Sequence, residues 1–191
     1  MKVFGLAGTN GAGKDTIAEV LEEYRYLNVS ATQMLGDELT ARGLTHKRVN
    51  KAALSAEWRR EYGMSAVVDK AAEQYENSTK KDLLQGFVVG SIRHPGETDK
   101  IHAIEGLQIW VDADPKIRFE RVTSNDRGRV EDKKTYEEFL AEEQREMKPS
   151  GDSATLNMGA VKELSDVFII NNGDDIEAFK RQVKQQLEKY L

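Results

Sequence analysis

A glycine-rich stretch near the N-terminus, "GTNGAGKDT" from Gly8 to Thr16, constrains this chain more than any other feature. It follows a short apolar run, "KVFGLA", and precedes an amphipathic run, "IAEVLEEY", so we expect a loop between a buried β-strand and a helix. Glycines tolerate positive φ and let successive backbone N–H groups converge into a concave cradle. A helix that begins there adds its positive end, which favours a bound anion. The sequence therefore predicts a phosphate-binding loop.

Individual residues of this loop have predicted roles in binding ATP and Mg²⁺. Lys14 would place a point charge at the bridge between the β- and γ-phosphates, and the Thr16 hydroxyl would be a ligand to Mg²⁺. The alternative is a tight βα turn without a ligand, which leaves Lys14 unexplained. The residues predicted to bind the nucleotide here are Asn10, Gly11, Ala12, Gly13, Lys14, Asp15 and Thr16.

Asp15 departs from the strict phosphate-loop pattern, which places Ser or Thr directly after the lysine. One interpretation is an acidic residue in the first helical turn, where it suits the helix dipole. The other is a role near the metal ion.

Five short β-rich runs alternate with helical patterns along the chain. They are Lys2 to Ala7, Gly86 to Ile92, Leu107 to Ala113, Asp166 to Asn172 and a weaker run from Tyr26 to Ala31. Apolar runs with little alternation indicate strands buried on both faces, hence a parallel sheet. Strand–helix alternation predicts a three-layer α/β domain with ligands at the carboxyl ends of the strands.

Capping residues predict where several helices begin. Asp114 and Pro115 are expected to start one helix, and Thr135 with Glu138 forms a capping box before another. Asp174 with Glu177 is the expected cap of the last helix. Its predicted core-facing residues, at helical spacing, are Ile176, Phe179, Val183 and Leu187.

Residues 31–84 interrupt the alternation of strands and helices, because they contain more helical sequence than one crossover between strands needs. We expect a helical insertion that projects from the sheet. Residues 123–150 are polar, and we predict a lid region there.

Length and composition limit the classes of function. The chain has 191 residues, which suits one domain, and its net charge of −5 argues against binding a nucleic-acid polymer. It contains no cysteine, which excludes disulfides and thiol catalysis. The apolar N-terminal run is too short for a signal peptide or membrane span. We therefore expect a cytoplasmic protein, a monomer or homodimer, that does not contact a membrane.

Arginines supply the candidates for contacts to a transferring phosphoryl group, because planar guanidiniums match its oxygens bidentately. Arg93 follows the run that begins at Gly86, at the expected carboxyl end of a strand, and a local salt bridge is the alternative role. His94 is interpreted as a turn residue, with the chain turning at Pro95. Another cluster lies in "RFERVTSNDRGR", where the alternative is a solvated helix face; its members are Arg118, Arg121, Arg127 and Arg129.

Together, three segments resemble the P-loop nucleotide kinases: the loop, "GFVVGSIRHPGE", and the region from "WVDADPKIRFERV" through "RGRVEDKKTYEEF". The similarity is to the adenylate-kinase and dephospho-coenzyme-A-kinase-like group, which includes phage deoxynucleotide kinases and uncharacterised archaeal-type members. It implies a P-loop NTPase fold with a five-stranded parallel sheet, an acceptor-binding helical insertion and a lid over ATP.

The resemblance also implies roles for particular residues. Arg93 would bind the phosphate of the acceptor, and Arg59 is a weaker acceptor-site candidate whose alternative is a helix-surface charge. Arg121, Arg127 and Arg129 would lie near the transferring group, while Asn172 and Gly173 would lie near the adenine or form only a turn.

One position departs from the kinase pattern. Where these kinases usually carry an aspartate at the end of the third strand, this chain has Gly90 and Ser91. Asp112 or Asp15 is a candidate substitute for it.

Three functional hypotheses stay open at this point. The first is transfer of the γ-phosphoryl group of ATP to a small phosphate-bearing acceptor, a nucleoside or deoxynucleoside monophosphate. The second has dephospho-coenzyme A as the acceptor. The third is a nucleotide-binding regulatory protein or ATPase that transfers nothing to an acceptor, and the missing aspartate favours it.

Overall fold

The computed structural model describes residues 1–124, 134–148 and 151–191. Its five strands form one sheet in the order β2-β3-β1-β4-β5, and every pair of neighbouring strands is parallel. The predicted five-stranded parallel α/β fold is therefore confirmed. The strands are β1 (Lys2–Gly8), β2 (Tyr26–Ser30), β3 (Gly86–Gly90), β4 (Leu107–Asp112) and β5 (Val167–Ile170).

Helices connect the strands and cover both faces of the sheet. They are α1 (Lys14–Glu23), α2 (Ala31–Ala41), α3 (Arg48–Tyr62), α4 (Ala66–Glu76), α5 (Pro95–Ala103), α6 (Pro115–Ser124), α7 (Tyr136–Met147), α8 (Met158–Glu163) and α9 (Ile176–Leu187). A short 3₁₀-helix, Lys81–Leu83, precedes β3. None of the helices among the described residues is long and apolar enough to cross a membrane.

Two buried clusters lie on opposite faces of the sheet, because successive residues of a strand point to opposite sides. Val3 and Phe87 belong to the cluster covered by α2, α3, α4 and α8. Phe4 and Val88 belong to the other, which is covered by α1 and α9. Burial on both faces explains why the strands are apolar without alternation.

The helical segment within residues 31–84 forms α2, α3 and α4. These helices contribute Leu39, Leu54 and Val68 to the same core cluster as the strand residues Val3 and Phe87. The segment therefore packs onto the sheet and forms part of the main core. The region at 123–150 includes the end of α6 and all of α7, while 125–133 and 149–150 lie outside the described residues.

Two of the predicted helix starts are confirmed. Pro115 is the first residue of α6, and Thr135 forms a capping box with Glu138 at the start of α7. The predicted cap of the last helix was wrong by one residue. The Asp175 side chain, and not that of Asp174, accepts hydrogen bonds from the backbone at the start of α9.

Two further expectations need correction. Ile176 is 62% exposed because it precedes the buried stripe of α9, which comprises Phe179, Val183 and Leu187. His94 is a buried N-cap of α5, with its side chain accepting from the backbone N–H of Gly96, and Pro95 opens that helix. The chain thus continues as a helix at Pro95, a position where the missing N–H of proline is harmless.

Candidate functional site

The glycine-rich loop connects β1 to α1 and forms a tight turn at the carboxyl end of the central strand. Gly11 has a φ of +80° and Gly13 a φ of +101°, conformations that side chains other than glycine rarely adopt. Added Cβ atoms would also lie 2.7 Å from the backbone oxygen of Arg118 and 2.6 Å from Nδ2 of Asn171, respectively. The backbone path of the loop therefore depends on glycine at both positions.

Asn171, which the sequence analysis missed, fixes this loop to the end of β5. Its side chain is buried and donates from Nδ2 to the backbone oxygen of Ala12 at 2.9 Å. Its backbone N–H donates to the oxygen of Asp112 at 2.8 Å. The signal was a polar residue directly after the apolar run "VFII", at the sheet edge where ligands of parallel sheets bind.

Arg121 and Asn172, both predicted to lie near the nucleotide, lie at the same edge of the sheet. The Arg121 guanidinium donates to the backbone oxygens of Asn171 at 2.9 Å and Gly173 at 2.5 Å. The Asn172 side-chain oxygen accepts from the backbone N–H of Asp114 at 2.8 Å. These contacts join α6 and the residue before it to the loop after β5. Arg127 and Arg129 lie outside the described residues.

Lys14 projects back over the loop that precedes it. Its Nζ donates to the backbone oxygens of Gly8 at 3.0 Å and Thr9 at 2.7 Å. The pKa of Lys14 is lowered to about 8, first by burial and then by the nearby Arg93 guanidinium, against the opposing effect of Asp15. A bound polyanion would add negative charge close to this half-buried ammonium and raise its pKa.

The remaining loop residues have distinct surroundings. Asp15 is exposed in the first turn of α1, while Thr16 is half-buried one residue further on. Asn10 is exposed and lines both a small recess beside the loop and the larger cavity next to it. The loop and the cavity therefore meet at Asn10.

Asp112, one candidate for the missing aspartate, is held by protein groups. Its Oδ1 accepts from the Thr9 hydroxyl at 2.8 Å and from the backbone N–H of Ala113 at 2.9 Å. Its Oδ2 lies 3.6 Å from Nζ of Lys162. The carboxylate thus ties the end of β4 to the start of the phosphate loop.

The position that lacks the aspartate is conformationally unusual. Ser91 has a φ of +66°, which ends β3 at Gly90, two residues before the predicted end at Ile92. A left-handed conformation costs a residue with a side chain about 1–2 kcal/mol relative to ordinary backbone. The Ser91 hydroxyl lies 3.3 Å from that of Thr32, and both residues line the large cavity.

A cavity of about 770 Å³ opens beside the loop, between α2, α3 and the end of β3. Its volume is within the range of small-molecule binding sites. Among the described residues that line the cavity, Glu146 is the one acidic residue. The basic residues of this lining are His46, Lys47, Arg48, Lys51, Arg59, Arg93 and Lys134.

Arg93 lies where the cavity meets the loop, and it lines both the recess beside the loop and the cavity. Its Nη1 donates to Oε2 of Glu146 at 3.0 Å, and burial lowers its pKa from the ordinary value of arginine. Its backbone N–H donates to Oε2 of Glu97 at 2.9 Å. The side chain stays 30% exposed, so a ligand in the cavity can reach it.

Arg59 also lines the cavity, but its guanidinium is held by the protein. It is 2% exposed, which contradicts the alternative of a helix-surface charge. Its Nη2 lies 2.7 Å from Oε1 of the fully buried Glu97, and its Nη1 donates to the backbone oxygen of Ala154 at 3.0 Å. Because Glu97 also accepts from the backbone of Arg93, the Arg59–Glu97 pair fixes the segment that carries Arg93.

Arg118, which belonged to the predicted arginine cluster on α6, is likewise a buried structural residue. It forms a bidentate pair with Glu143 of α7, and its Nε donates to the backbone oxygen of Ala113 at 2.8 Å. Its burial contradicts the alternative of a solvated helix face at this position, because α7 covers that face of α6.

Several proteins of similar sequence align with this chain over nearly its whole length. The chain is 28% identical over 193 residues to a UPF0200 protein of Thermococcus gammatolerans, covering 97% of this chain and 94% of that protein. It is 29% identical over 191 residues to a UPF0200 protein of Methanothermobacter thermautotrophicus, covering 99% and 90%. No family model matches the chain.

Solved structures share the architecture. TT1252 from Thermus thermophilus aligns with a TM-score of 0.59 at 16% identity, covering 99% of this chain and 97% of that one. Shikimate kinase from Acinetobacter baumannii aligns with a TM-score of 0.58 at 13% identity, covering 99% and 93%. The chain therefore has the fold of P-loop kinases such as shikimate kinase. The narrower resemblance to adenylate and dephospho-coenzyme-A kinases stays a prediction.

Proposed function

We propose that this protein is an ATP-dependent phosphotransferase that moves the γ-phosphoryl group to a small phosphate-bearing acceptor, a nucleoside or deoxynucleoside monophosphate. The observation that carries the proposal is the juxtaposition of Lys14 and Arg93. Lys14 donates to the backbone oxygens of Gly8 and Thr9, and Arg93 lines the small recess that these two residues also line. Arg93 lines the large cavity as well. Two cations at this junction fit a phosphoryl group that passes from the loop to the cavity.

The loop is the proposed site of the triphosphate. Its backbone amides would cradle the phosphates, and Lys14 would exchange the oxygens of Gly8 and Thr9 for phosphate oxygens. Among the described residues, no three His, Cys, Asp or Glu side chains cluster to hold a metal ion. This fits Mg²⁺, which is commonly bound through substrate phosphates with few protein ligands, and Thr16 is the proposed protein ligand. The ion would neutralise charge on the phosphates.

The cavity is the proposed site of the acceptor. Arg93 would bind its phosphate bidentately, in line with the γ-phosphoryl group. None of the described residues that line the cavity is Phe, Tyr or Trp. The non-phosphate part of the acceptor would therefore contact aliphatic side chains, which include Leu35, Val67 and Leu156.

The rate enhancement would come from positioning and charge neutralisation, because transfer to a phosphate needs little base catalysis. Arg121 and Asn172 are proposed to border the nucleotide site, which matches their contacts at the loop after β5. Arg127 and Arg129 are proposed to reach the transferring group from the lid, by resemblance alone.

A coupled assay of ADP release tests the proposal. Purified protein is incubated with Mg-ATP and a panel of nucleoside and deoxynucleoside monophosphates, with dephospho-coenzyme A as a further acceptor. We expect ADP release that depends on at least one acceptor, and loss of at least about 10³-fold in rate for Lys14→Ala. Circular dichroism shows whether that variant is folded.

The outcomes separate the three hypotheses. Release that depends on a monophosphate supports the proposal, and release with dephospho-coenzyme A alone supports the second hypothesis. Hydrolysis that no acceptor changes would indicate a regulatory ATPase. Normal turnover by a folded Lys14→Ala protein would refute the assignment of the phosphate loop.

A further inference from the structure

Helix α7 turns an acidic face toward the cation-rich cavity. Lys134 Nζ lies 2.5 Å from Oε2 of Glu142, which also lies 3.5 Å from Nη1 of Arg48. One turn further along the helix, Glu146 reaches the cavity itself. Glu142 and Glu146 thus lie on one side of the helix, four residues apart, as neighbours on a helical face do.

Glu146 bridges two arginines from separate parts of the chain. Its Oε2 lies 3.0 Å from Nη1 of Arg93, and its Oε1 lies 2.5 Å from Nη2 of Arg48. Each carboxylate oxygen therefore contacts a different guanidinium. The Glu146 side chain is 20% exposed and lines both the small recess beside the loop and the large cavity.

The contacts of the Glu146 carboxylate with Arg48 and Arg93 resemble those that a bound phosphate would make. Guanidinium groups bind carboxylates and phosphates with the same paired N–H donors. We infer that the Glu146 carboxylate occupies the position of the acceptor's phosphate, which displaces it, and that Arg48 binds this phosphate together with Arg93. The inference rests on the proposed function and deepens it, because it adds a second ligand and an internal competitor to the acceptor site.

The charge around Glu146 favours such an exchange. A carboxylate carries one negative charge and two acceptor oxygens, whereas a phosphate monoester carries nearly two charges and three terminal oxygens. Lys47, Arg48 and Lys51 also crowd the start of α3, whose first turn contains no acidic residue. Cations at that end of a helix oppose its dipole, so a more highly charged anion in the cavity relieves their repulsion better than Glu146 does.

The inference restricts the acceptor to compounds that bring their own anionic group. A neutral polyol has no charge with which to replace Glu146 between the two arginines. A dianionic phosphate ester does, and its oxygens replace those of Glu146 between Arg48 and Arg93. Because a ligand must displace the Glu146 carboxylate, only an anionic ligand can bind between Arg48 and Arg93.

Titration with inorganic phosphate tests the exchange without ATP or turnover. The measurements use Lys14→Ala protein, so that the phosphate loop contributes least to the signal, and follow thermal unfolding against phosphate concentration. Glu146→Gln removes the competing charge and keeps the shape. We expect it to bind phosphate about tenfold more tightly than the parent, the size of one charge-assisted hydrogen bond.

Two controls isolate the cause. Glu137→Gln makes the same change at an exposed position of the same helix, and should leave phosphate affinity within about twofold of the parent. Adding Arg48→Ala to Glu146→Gln should abolish most of the gain. Glu146→Asp keeps the charge but shortens the side chain, and should give a gain of about threefold; it replaces Glu146→Gln if that variant does not fold.

Specific results would overturn the inference. Equal or weaker phosphate binding by Glu146→Gln would show that the carboxylate positions Arg93 for the ligand instead of competing with it. An undiminished gain after Arg48→Ala would remove Arg48 from the site. Because the titration needs no nucleotide, a protein without kinase activity would fail the assay of the proposed function and still answer this test.

Discussion

The glycine-rich loop and the large cavity beside it are built in different ways. The loop is nine consecutive residues whose shape comes from the backbone, with glycines at left-handed φ and a single lysine folded over it. The cavity is assembled from side chains of α2, α3, α7 and the end of β3, and oppositely charged groups pair within its lining. The loop is local in sequence, whereas the cavity depends on the packing of distant segments.

That difference predicts different responses to mutation. A change in the loop should distort the backbone and remove nucleotide binding together with some stability. A change in the cavity should remove one contact and alter the acceptor's affinity alone.

Gly13→Ala should have the largest effect, because its Cβ would lie 2.6 Å from Asn171 at a φ of +101°. We expect affinity for Mg-ATP to fall about 100-fold, which corresponds to the loss of one or two charge-assisted hydrogen bonds from the loop to the phosphates. The free energy of unfolding should fall by about 2–3 kcal/mol, from strain and the contact with Asn171. Calorimetric titration and denaturant unfolding measure the two quantities.

Gly63→Ala is the control, because Gly63 has a positive φ of +99° outside the loop and nothing within 4 Å of an added Cβ. It should lower the free energy of unfolding by about 1–3 kcal/mol through backbone conformation alone, since a φ of +99° with a ψ of 163° is a region that side chains hardly adopt. Its affinity for Mg-ATP should equal that of the wild type. A similar loss of affinity in both variants would contradict the specific geometry assigned to the loop.

Arg93→Ala should have a smaller effect, directed at the cavity. We expect the KM of the acceptor to rise about 10- to 100-fold, which is the range for loss of one charge-assisted hydrogen bond. The KM of ATP should change less. Steady-state kinetics with each substrate varied in turn separates the two. Arg181→Ala, at a side chain that is 70% exposed on α9, should change neither KM. Equal changes in both constants would remove Arg93 from the acceptor site.

The dependence on pH should be the smallest of these effects, and it concerns the lysine between the two sites. The pKa of Lys14 is about 8 in the free protein, and bound phosphates would raise it. The protonated form then binds more tightly, so the Kd for Mg-ATP should rise by up to about tenfold from about pH 8 to pH 9, with proton uptake on binding. Calorimetry in buffers of different ionisation enthalpy measures that uptake. Release of protons on binding would contradict the prediction that bound phosphates raise the pKa of Lys14.

The fold was largely predictable, because its signals are local. Five apolar runs without alternation indicated strands buried on both faces, and the capping residues Asp114 and Thr135 marked two helix starts. The errors arose where tertiary contacts decide. Ser91 ends β3 early through a left-handed conformation, and Asp175 caps α9 in place of its neighbour Asp174.

The candidate site was predictable only in part, for the same reason. The loop and Arg93 could be placed at the carboxyl ends of strands, and Asn171 carried the same signal after β5. The contacts of Asn171 and Glu146 could not be predicted, because neither residue belongs to a recognisable motif. These contacts follow from packing between segments far apart in sequence, such as those of Arg93 and Glu146, which are 53 positions apart. Contacts between such distant residues are visible in the folded structure but cannot be read from local sequence patterns.

Calorimetric titration of Mg-ATP into the wild-type protein measures whether the backbone amides around Gly13 and the ammonium of Lys14 hold a triphosphate. We predict saturable binding with a Kd between about 1 μM and 1 mM, the usual range of enzyme substrates, and at least a 10-fold loss in Lys14→Ala. Absence of saturable heat with either Mg-ATP or Mg-GTP, on protein shown to be folded by circular dichroism, would contradict the account.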